Sequence, residues 1–147
     1  MRQIALIACA YTILGMGAVT LAFPGNFVVI VHQGNPVKSF STQRLKRIFL
    51  GEELFWEDGR RILPAGMSDE ASATKDFINE IVELSVDGYT AQWRRKLFSG
   101  RAIPPRRVDR IDEMIEFVER NPAAIGFVPA GGLPGGRSAR PVAVTVE

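Results

Sequence analysis

Apolar positions along the chain change their spacing several times, and each change predicts an element. The run FVVIVH, residues 27–32, is continuously apolar and β-branched and precedes QGNP, which predicts a buried central strand. A loop follows, and from Ser41 apolar residues recur at helical spacing until Gly51. Phe40 and Leu45 are placed as a hydrophobic staple across the N-cap Ser41, so a short helix is predicted here.

The middle of the chain continues this alternation. RRILPAG, after the turn at Asp58 and Gly59, predicts a short strand. Ser68, with Asp69 and Glu70 behind it, predicts the N-cap and acidic first turn of a second helix. That helix and a third, which ends before Gly100, carry apolar residues at helical spacing: Phe77, Ile78, Ile81 and Val82, then Tyr89, Trp93 and Leu97.

The last third predicts one more helix and two strands. The helix runs from about Asp109 to Asn121-Pro122, with Ile111, Met114, Ile115 and Val118 on one face. AIGFV and PVAVTV follow as strands, separated by the glycine-rich loop GGLPGGRSAR. Alternating strands and helices predict an α/β domain with a mixed sheet flanked by about four helices.

Residues 1–22 have the pattern of an export signal. Arg2 precedes an uncharged apolar run from Ile4, and small residues end at Ala22 before FPG, which favours cleavage as a signal peptide. An uncleaved anchor is the alternative, since the run is close to the length of a membrane span. A lipoprotein box at LIAC is a third reading, disfavoured because few apolar residues precede Cys9. Each of these readings places the rest of the chain outside the cytoplasm.

The remainder, residues 23–147, has the length of one domain. The chain has 46% hydrophobic residues and a mean hydropathy of +0.06, which excludes a disordered or multi-span membrane protein. Cys9 is the only cysteine, so a cleaved protein has no disulfide, thiol nucleophile or thiolate metal site. Its stability must then come from an ordinary apolar core.

Charge is informative in its placement and not in its total. The net charge is only +2, but the segment from Arg94 to Arg110 contains seven basic residues against Asp109 alone. A phosphate, a sulfate or an acidic polymer could be bound through forked hydrogen bonds by four of these arginines: Arg94 and Arg95 near the end of the third helix, and Arg106 and Arg107 in the PPRR loop. The alternative is a solvated basic face that complements a helix dipole.

Three segments carry a resemblance to a known family. NPVKSFSTQRLKRIFLGEELFWEDGRRILP, WRRKLFSG and FVERNPAAIGFVPA resemble short members of the phosphate-type periplasmic substrate-binding proteins of ABC transporters. In that family a helix ending in IF-x-G precedes a tryptophan turn, and a helix ending in N-P-G leads into an A-I-G-Y-V strand. The resemblance covers most of residues 27–130 and implies a single periplasmic-binding-protein-like lobe. The tryptophan turn around Trp56 is read mainly as a signature of the fold.

The resemblance implies a periplasmic protein that binds a small oxyanion and delivers it to an ABC transporter permease. The family's anion-binding segment aligns with MSDEASATKDF, where Ser68 and Asp69 match. Met67, Glu70 and Ala71 stand where the family has arginine, glycine and serine. Ligand residues are therefore expected in this segment and in the basic block: Ser68, Asp69, Ser72, Thr74, Arg94, Arg95, Arg106 and Arg107.

Other functions lack support in the residues. His32 is the only histidine and ends a strand, no nucleophile has an evident base, and no metal-ligand spacing occurs, so neither an enzyme nor a cofactor is expected. Nucleic acid is disfavoured as a partner by export, and membrane contact is expected only through an uncleaved residues 1–22. The alternative function is an interaction module of the cell envelope that keeps the fold without a ligand and binds an envelope protein through an exposed patch.

Overall fold

The structure, a computed structural model, describes residues 25–100 and 102–145. The predicted signal segment, residues 1–22, lies outside the described residues, so its cleavage or retention stays a prediction. Within the two described ranges, no helix combines the length and apolar character that a membrane crossing needs.

Across residues 25–100 and 102–145, seven strands form two sheets. The larger, five-stranded sheet has the order β4-β3-β5-β1-β6, with β1 antiparallel to both its neighbours and β3 parallel to both of its own. A small parallel sheet joins β2 to β7. The strands are β1 (Phe27–His32), β2 (Ser39–Ser41), β3 (Leu63–Met67), β4 (Arg106–Val108), β5 (Ala124–Pro129), β6 (Ala139–Pro141) and β7 (Ala143–Thr145).

Four α-helices accompany the strands in the described part of the chain, which confirms the predicted α/β class with a mixed sheet. They are α1 (Thr42–Phe49), α2 (Ser72–Phe77), α3 (Val86–Phe98) and α4 (Ile111–Arg120). Helix α2 continues directly into a π-helical segment, Ile78–Val82, which ends at Glu83 in a left-handed conformation with φ of 59°.

The alternation of side chains along β1 divides the core into two halves. Phe27, Val29 and Val31 pack with α1 and α2, whereas Val28 and Ile30 pack with α4. Because both faces of the strand are covered, its sequence is a continuous apolar run and not an alternating one. Each of these side chains stabilises the fold by about 1.5–3 kcal/mol through burial.

Several local predictions are confirmed. Strand β1 has the predicted bounds, and the Ser41 Oγ accepts the Arg44 backbone N–H at 3.2 Å as the N-cap of α1. Gly51 has φ of +68°, the left-handed conformation that ends a helix at glycine. Trp56 is buried, and its Nε1 donates to the carbonyl of Ala123 at 2.9 Å, a structural duty that fits the predicted fold signature.

The prediction that Ser68 caps the second helix is wrong. Helix α2 begins at Ser72, its N-cap is Ala71 without a side-chain hydrogen bond, and its first turn contains no acidic residue. Residues 68–71 instead close a turn in which the Ala71 N–H donates to the Ser68 carbonyl at 3.0 Å. Asp69 pairs with distant Arg107, a contact that local sequence cannot reveal.

Three other elements differ from the prediction. The PPRR segment was expected as a loop, but its arginines open β4, which pairs with β3 at the sheet edge. PVAVTV was expected as one strand, but the chain changes sheets at Val142 and divides it between β6 and β7. Leu97 was placed on the buried stripe of α3, yet it is 52% exposed, because α3 packs mainly through Trp93.

Candidate functional site

A cleft of about 270 Å³ lies where α2 and α3 meet the β3–β4 edge of the large sheet. Its floor is apolar and comes from five parts of the fold: α1, α2 with the π-helical segment, α3, β3 and β5. The principal floor side chains are Phe49, Met67, Phe77, Ile78, Trp93 and Phe127. Within the floor, the rings of Phe77 and Phe127 stack with centroids 4.2 Å apart.

Thr74 contributes an unusual polar group to this lining. The residue is only 3% exposed, and among the described residues its Oγ1 has no hydrogen-bond partner. Buried hydroxyls are normally hydrogen-bonded, and leaving one unpaired costs about 1–3 kcal/mol. An oxygen acceptor or donor in the cleft would satisfy it once the side chain turned its Oγ1, which is buried, toward the cleft.

Positive charge surrounds the apolar floor. Arg94 from α3 and Arg106 and Arg107 from β4 line the cleft. Arg107 Nη1 lies 3.0 Å from the Asp69 Oδ2, and the Arg106 guanidinium lies 5.2 Å from the centre of the Phe117 ring. No carboxylate within the described residues pairs with Arg94, so its guanidinium remains open to an anion.

Helix α3 is fixed beside the cleft by the end of α1. The Tyr89 hydroxyl and the Trp93 Nε1 both donate to the Phe49 carbonyl, at 3.0 and 3.1 Å, and Lys96 Nζ donates to the Leu50 carbonyl. These carbonyls are among those that a helix end leaves without an internal partner. A Cβ on Gly51 would lie 2.7 Å from Trp93 Cη2, so the helix stop also makes room for the indole.

The environment of Tyr89 keeps its phenol neutral. Burial raises the pKa of the Tyr89 hydroxyl well above its usual value, and this outweighs the opposing effect of its contact with Trp93. The hydroxyl therefore keeps its proton and its hydrogen bond to Phe49 throughout the physiological pH range. The Tyr89 side chain is therefore an uncharged part of the cleft lining and does not act as a base.

The residues predicted to bind a ligand divide into two groups. Asp69, Thr74, Arg94, Arg106 and Arg107 line the cleft together, although they come from separate segments of the chain. The other predicted residues lie outside its lining within the described part of the chain: Ser68, Ser72 and Arg95. Their roles as ligand residues stay predictions. The first group of residues, together with the apolar floor, forms the candidate site.

Sequence reasoning did not assign the aromatic floor to this site. Tyr89 and Trp93 were read as part of an apolar stripe, and their spacing gave no sign that their polar atoms cap α1. Met67 was considered only as a replacement for arginine, yet its side chain forms part of the apolar lining. Among the described residues, no group of three histidine, cysteine or acidic side chains is placed to hold a metal ion.

Comparison with known proteins gives a match in structure only. No protein-family model matches the chain, and no curated protein matches it in sequence. Solved structures do match: an ABC-type phosphate transport receptor from Vibrio cholerae, with a TM-score of 0.53 and 18% identity, and PstS from Borrelia burgdorferi, with a TM-score of 0.63 and 16% identity.

These matches cover most of this chain and less than half of each neighbour. The V. cholerae alignment covers 81% of this chain and 46% of the receptor, and the B. burgdorferi alignment covers 82% and 47%. At such identities the likeness shows the fold alone. The chain therefore has the fold of part of a phosphate-type ABC transporter substrate-binding protein.

Proposed function

We propose that this chain is an exported solute-binding protein of the phosphate type, which binds a small oxyanion without catalysis in the cleft between α2, α3 and β4. The solute would be delivered to an ABC transporter permease from the periplasmic side of the membrane. The signal-like residues 1–22 and the shared fold with phosphate transport receptors support this proposal.

One observation carries the proposal: Thr74, whose hydroxyl has no hydrogen-bond partner among the described residues, lines the same cleft as Arg94, which forms no ion pair with those residues. A charge-assisted hydrogen bond from a guanidinium is about twice as strong as a neutral one, and a second bond at the hydroxyl would fix the anion's orientation. Arg107 adds positive charge at the rim, whereas the Arg106 guanidinium lies over the Phe117 ring, which is not part of this lining. Asp69 opposes an anion, but its pairing with Arg107 offsets its charge locally.

A second function has its own supporting observation. Phe98 is 87% exposed and Ile103 is 70% exposed, so large apolar side chains face solvent near the cleft. A contiguous exposed apolar patch marks a contact with another protein, whereas single exposed apolar side chains are common on any surface. In this alternative, the chain is a ligand-free interaction module that binds an envelope protein.

Calorimetric titration of the purified full chain with phosphate, sulfate and molybdate separates the two functions. We expect one of these anions to bind, and to raise the melting temperature by several degrees at a hundred times its Kd, since this corresponds to about 2.7 kcal/mol. Arg94→Gln should weaken binding at least tenfold. Arg95→Gln is the matched control, because it removes the same charge from the same helix outside the cleft.

Thr74→Val tests the observation on which the proposal depends. The substitution keeps the shape of the side chain and removes the unpaired hydroxyl, so the free chain should be as stable as the wild type or more stable by about 1 kcal/mol. Anion binding should weaken in the same protein. Binding that Arg94→Gln and Thr74→Val leave unchanged would place the anion elsewhere, and absence of binding by all three anions would favour the interaction module.

A further inference from the structure

The cleft has a much larger apolar surface than an inorganic anion can use. Aromatic and aliphatic side chains form its floor, and the arginines stand only at its rim. Its volume of about 270 Å³ approaches the lower end of the range of pockets that hold small organic ligands, about 300 Å³. A site made only for phosphate would need polar groups on several sides, because all of the phosphate oxygens carry charge or hydrogen-bonding capacity.

Some oxygens of an inorganic oxyanion in this cleft would face the aromatic and aliphatic side chains of the floor, which offer no hydrogen bonds. Burying an anion without hydrogen-bond partners is costly, so its outward-facing oxygens would have to retain water and the aromatic floor would stay uncovered. A ligand that combines an anionic head with an apolar body avoids both losses. Its head can meet Arg94 and the Thr74 hydroxyl, while its body covers the floor and gains from apolar burial.

Based on this distribution of charge and apolar surface, and resting on the proposed solute-binding function, we propose that the cleft takes an organic phosphate, meaning a phosphate group that carries a small apolar substituent. The phosphate lies against Arg94 and Thr74, and the substituent lies on the floor formed by Phe77, Trp93 and their neighbours. Leu97, half exposed at the end of α3, contacts the substituent from the mouth of the cleft.

Phenyl phosphate and inorganic phosphate are the matched probes, since they share the anionic head and differ in the apolar body. Isothermal titration of the full chain should give at least tenfold tighter binding for phenyl phosphate. Phenol, which has the body without the head, should bind far more weakly than phenyl phosphate. Arg94→Gln should weaken the binding of both phosphates.

Leu97→Ser locates the apolar body. Because Leu97 is half exposed, the substitution should leave the fold intact, weaken phenyl phosphate severalfold and leave phosphate unchanged. Phe98→Ser is its control, since Phe98 is the next residue of α3, is more exposed, and is not part of the cleft lining among the described residues. Circular dichroism of both variants confirms that each is folded.

The outcomes distinguish the two proposals. Phosphate binding as tight as that of phenyl phosphate, or tighter, would overturn the organic ligand and leave the solute-binding function standing. Phenyl phosphate binding that is insensitive to Leu97→Ser would also overturn the organic ligand, because its body would lie elsewhere. If a folded chain binds neither phosphate, the organic ligand is overturned. If that chain also binds neither sulfate nor molybdate, the solute-binding function is overturned as well.

Discussion

Two glycines in this structure make room for a side chain from another element. Gly51 ends α1 in a left-handed conformation and at the same time leaves space for the Trp93 indole. Gly126 lies in β5, where an added Cβ would be 2.3 Å from the Met114 Sδ. Gly126 therefore permits close packing of a side chain from α4 against β5.

Ionisation of Tyr89 should lower the free energy of unfolding at alkaline pH. Its folded-state pKa is raised by burial, so the unfolded chain loses the phenol proton first, near pH 10. The stabilisation is fully present below that value and is lost as the pH rises toward the folded-state pKa. Urea unfolding at pH 8 and pH 11 should therefore show a larger loss of stability in the wild type than in Tyr89→Phe.

The comparison must use the change with pH and not the absolute stability. Tyr89→Phe also removes the hydrogen bond to the Phe49 carbonyl, which costs about 1 kcal/mol at both pH values. The two proteins share every other side chain, so the difference between their losses reports the phenol. Equal losses between pH 8 and pH 11 in the two proteins would show that the phenol ionises equally in the folded and unfolded states.

At the scale of elements, α3 is the part of the fold on which the cleft depends most. It carries Tyr89, Trp93 and Arg94, yet Trp93 is the one fully buried side chain that it contributes. Its position depends on hydrogen bonds to the end of α1 and on its own N-cap, Ser85, whose Oγ accepts the Gly88 N–H at 3.1 Å. A weakly packed helix of this kind is sensitive to its ends.

Ser85→Ala should therefore lower the free energy of unfolding by about 1 kcal/mol, the usual loss for a serine N-cap. Urea denaturation measures the effect. Ser39→Ala is the matched control, because Ser39 is exposed in β2 and caps no helix, and surface changes of this kind stay within about 0.5 kcal/mol. Equal effects from the two substitutions would mean that the cap does not stabilise α3.

On the scale of the whole molecule, one sheet connects the two halves of the core. Residues of β1 contribute alternately to both, and β5 does the same through Ile125 and Phe127 on one side and Ala124 and Val128 on the other. Neither half can lose its packing while the strands between them stay intact. The domain should thus unfold as a single cooperative unit.

Ile115→Ala tests whether the two halves of the core unfold together, because Ile115 lies in the half that does not contain Trp56. Ile115 is buried on α4, and its truncation should cost about 2–5 kcal/mol. Tryptophan fluorescence, which reports Trp56 in the other half of the core and Trp93 in the cleft, should shift its urea midpoint together with the circular dichroism signal. Glu116→Ala, an exposed neighbour, should shift neither by much. Separate midpoints in Ile115→Ala would contradict a single unit.

The sequence by itself determined the elements whose signals are local. The apolar run of β1, the Ser41 cap, the glycine stop of α1 and the single apolar face of α4 all depend on neighbouring residues, and they occur as predicted. The α/β class follows from their alternation. The segments that became the ligand candidates were also visible, because their charges and hydroxyls are present in the chain.

Tertiary structure alone decided which of those groups meet. Strand β4 has only three residues and exists because β3 supplies its hydrogen bonds, so no local pattern marked it. That pairing brings Arg106 and Arg107 to the cleft, while helical rotation directs Arg94 into its lining and leaves Arg95 outside. The start of α2 also differs from the local prediction: Ala71 is its N-cap, and Asp69 pairs with distant Arg107 and lies outside the helix. Long-range pairing and packing, which sequence spacing does not encode, built the site.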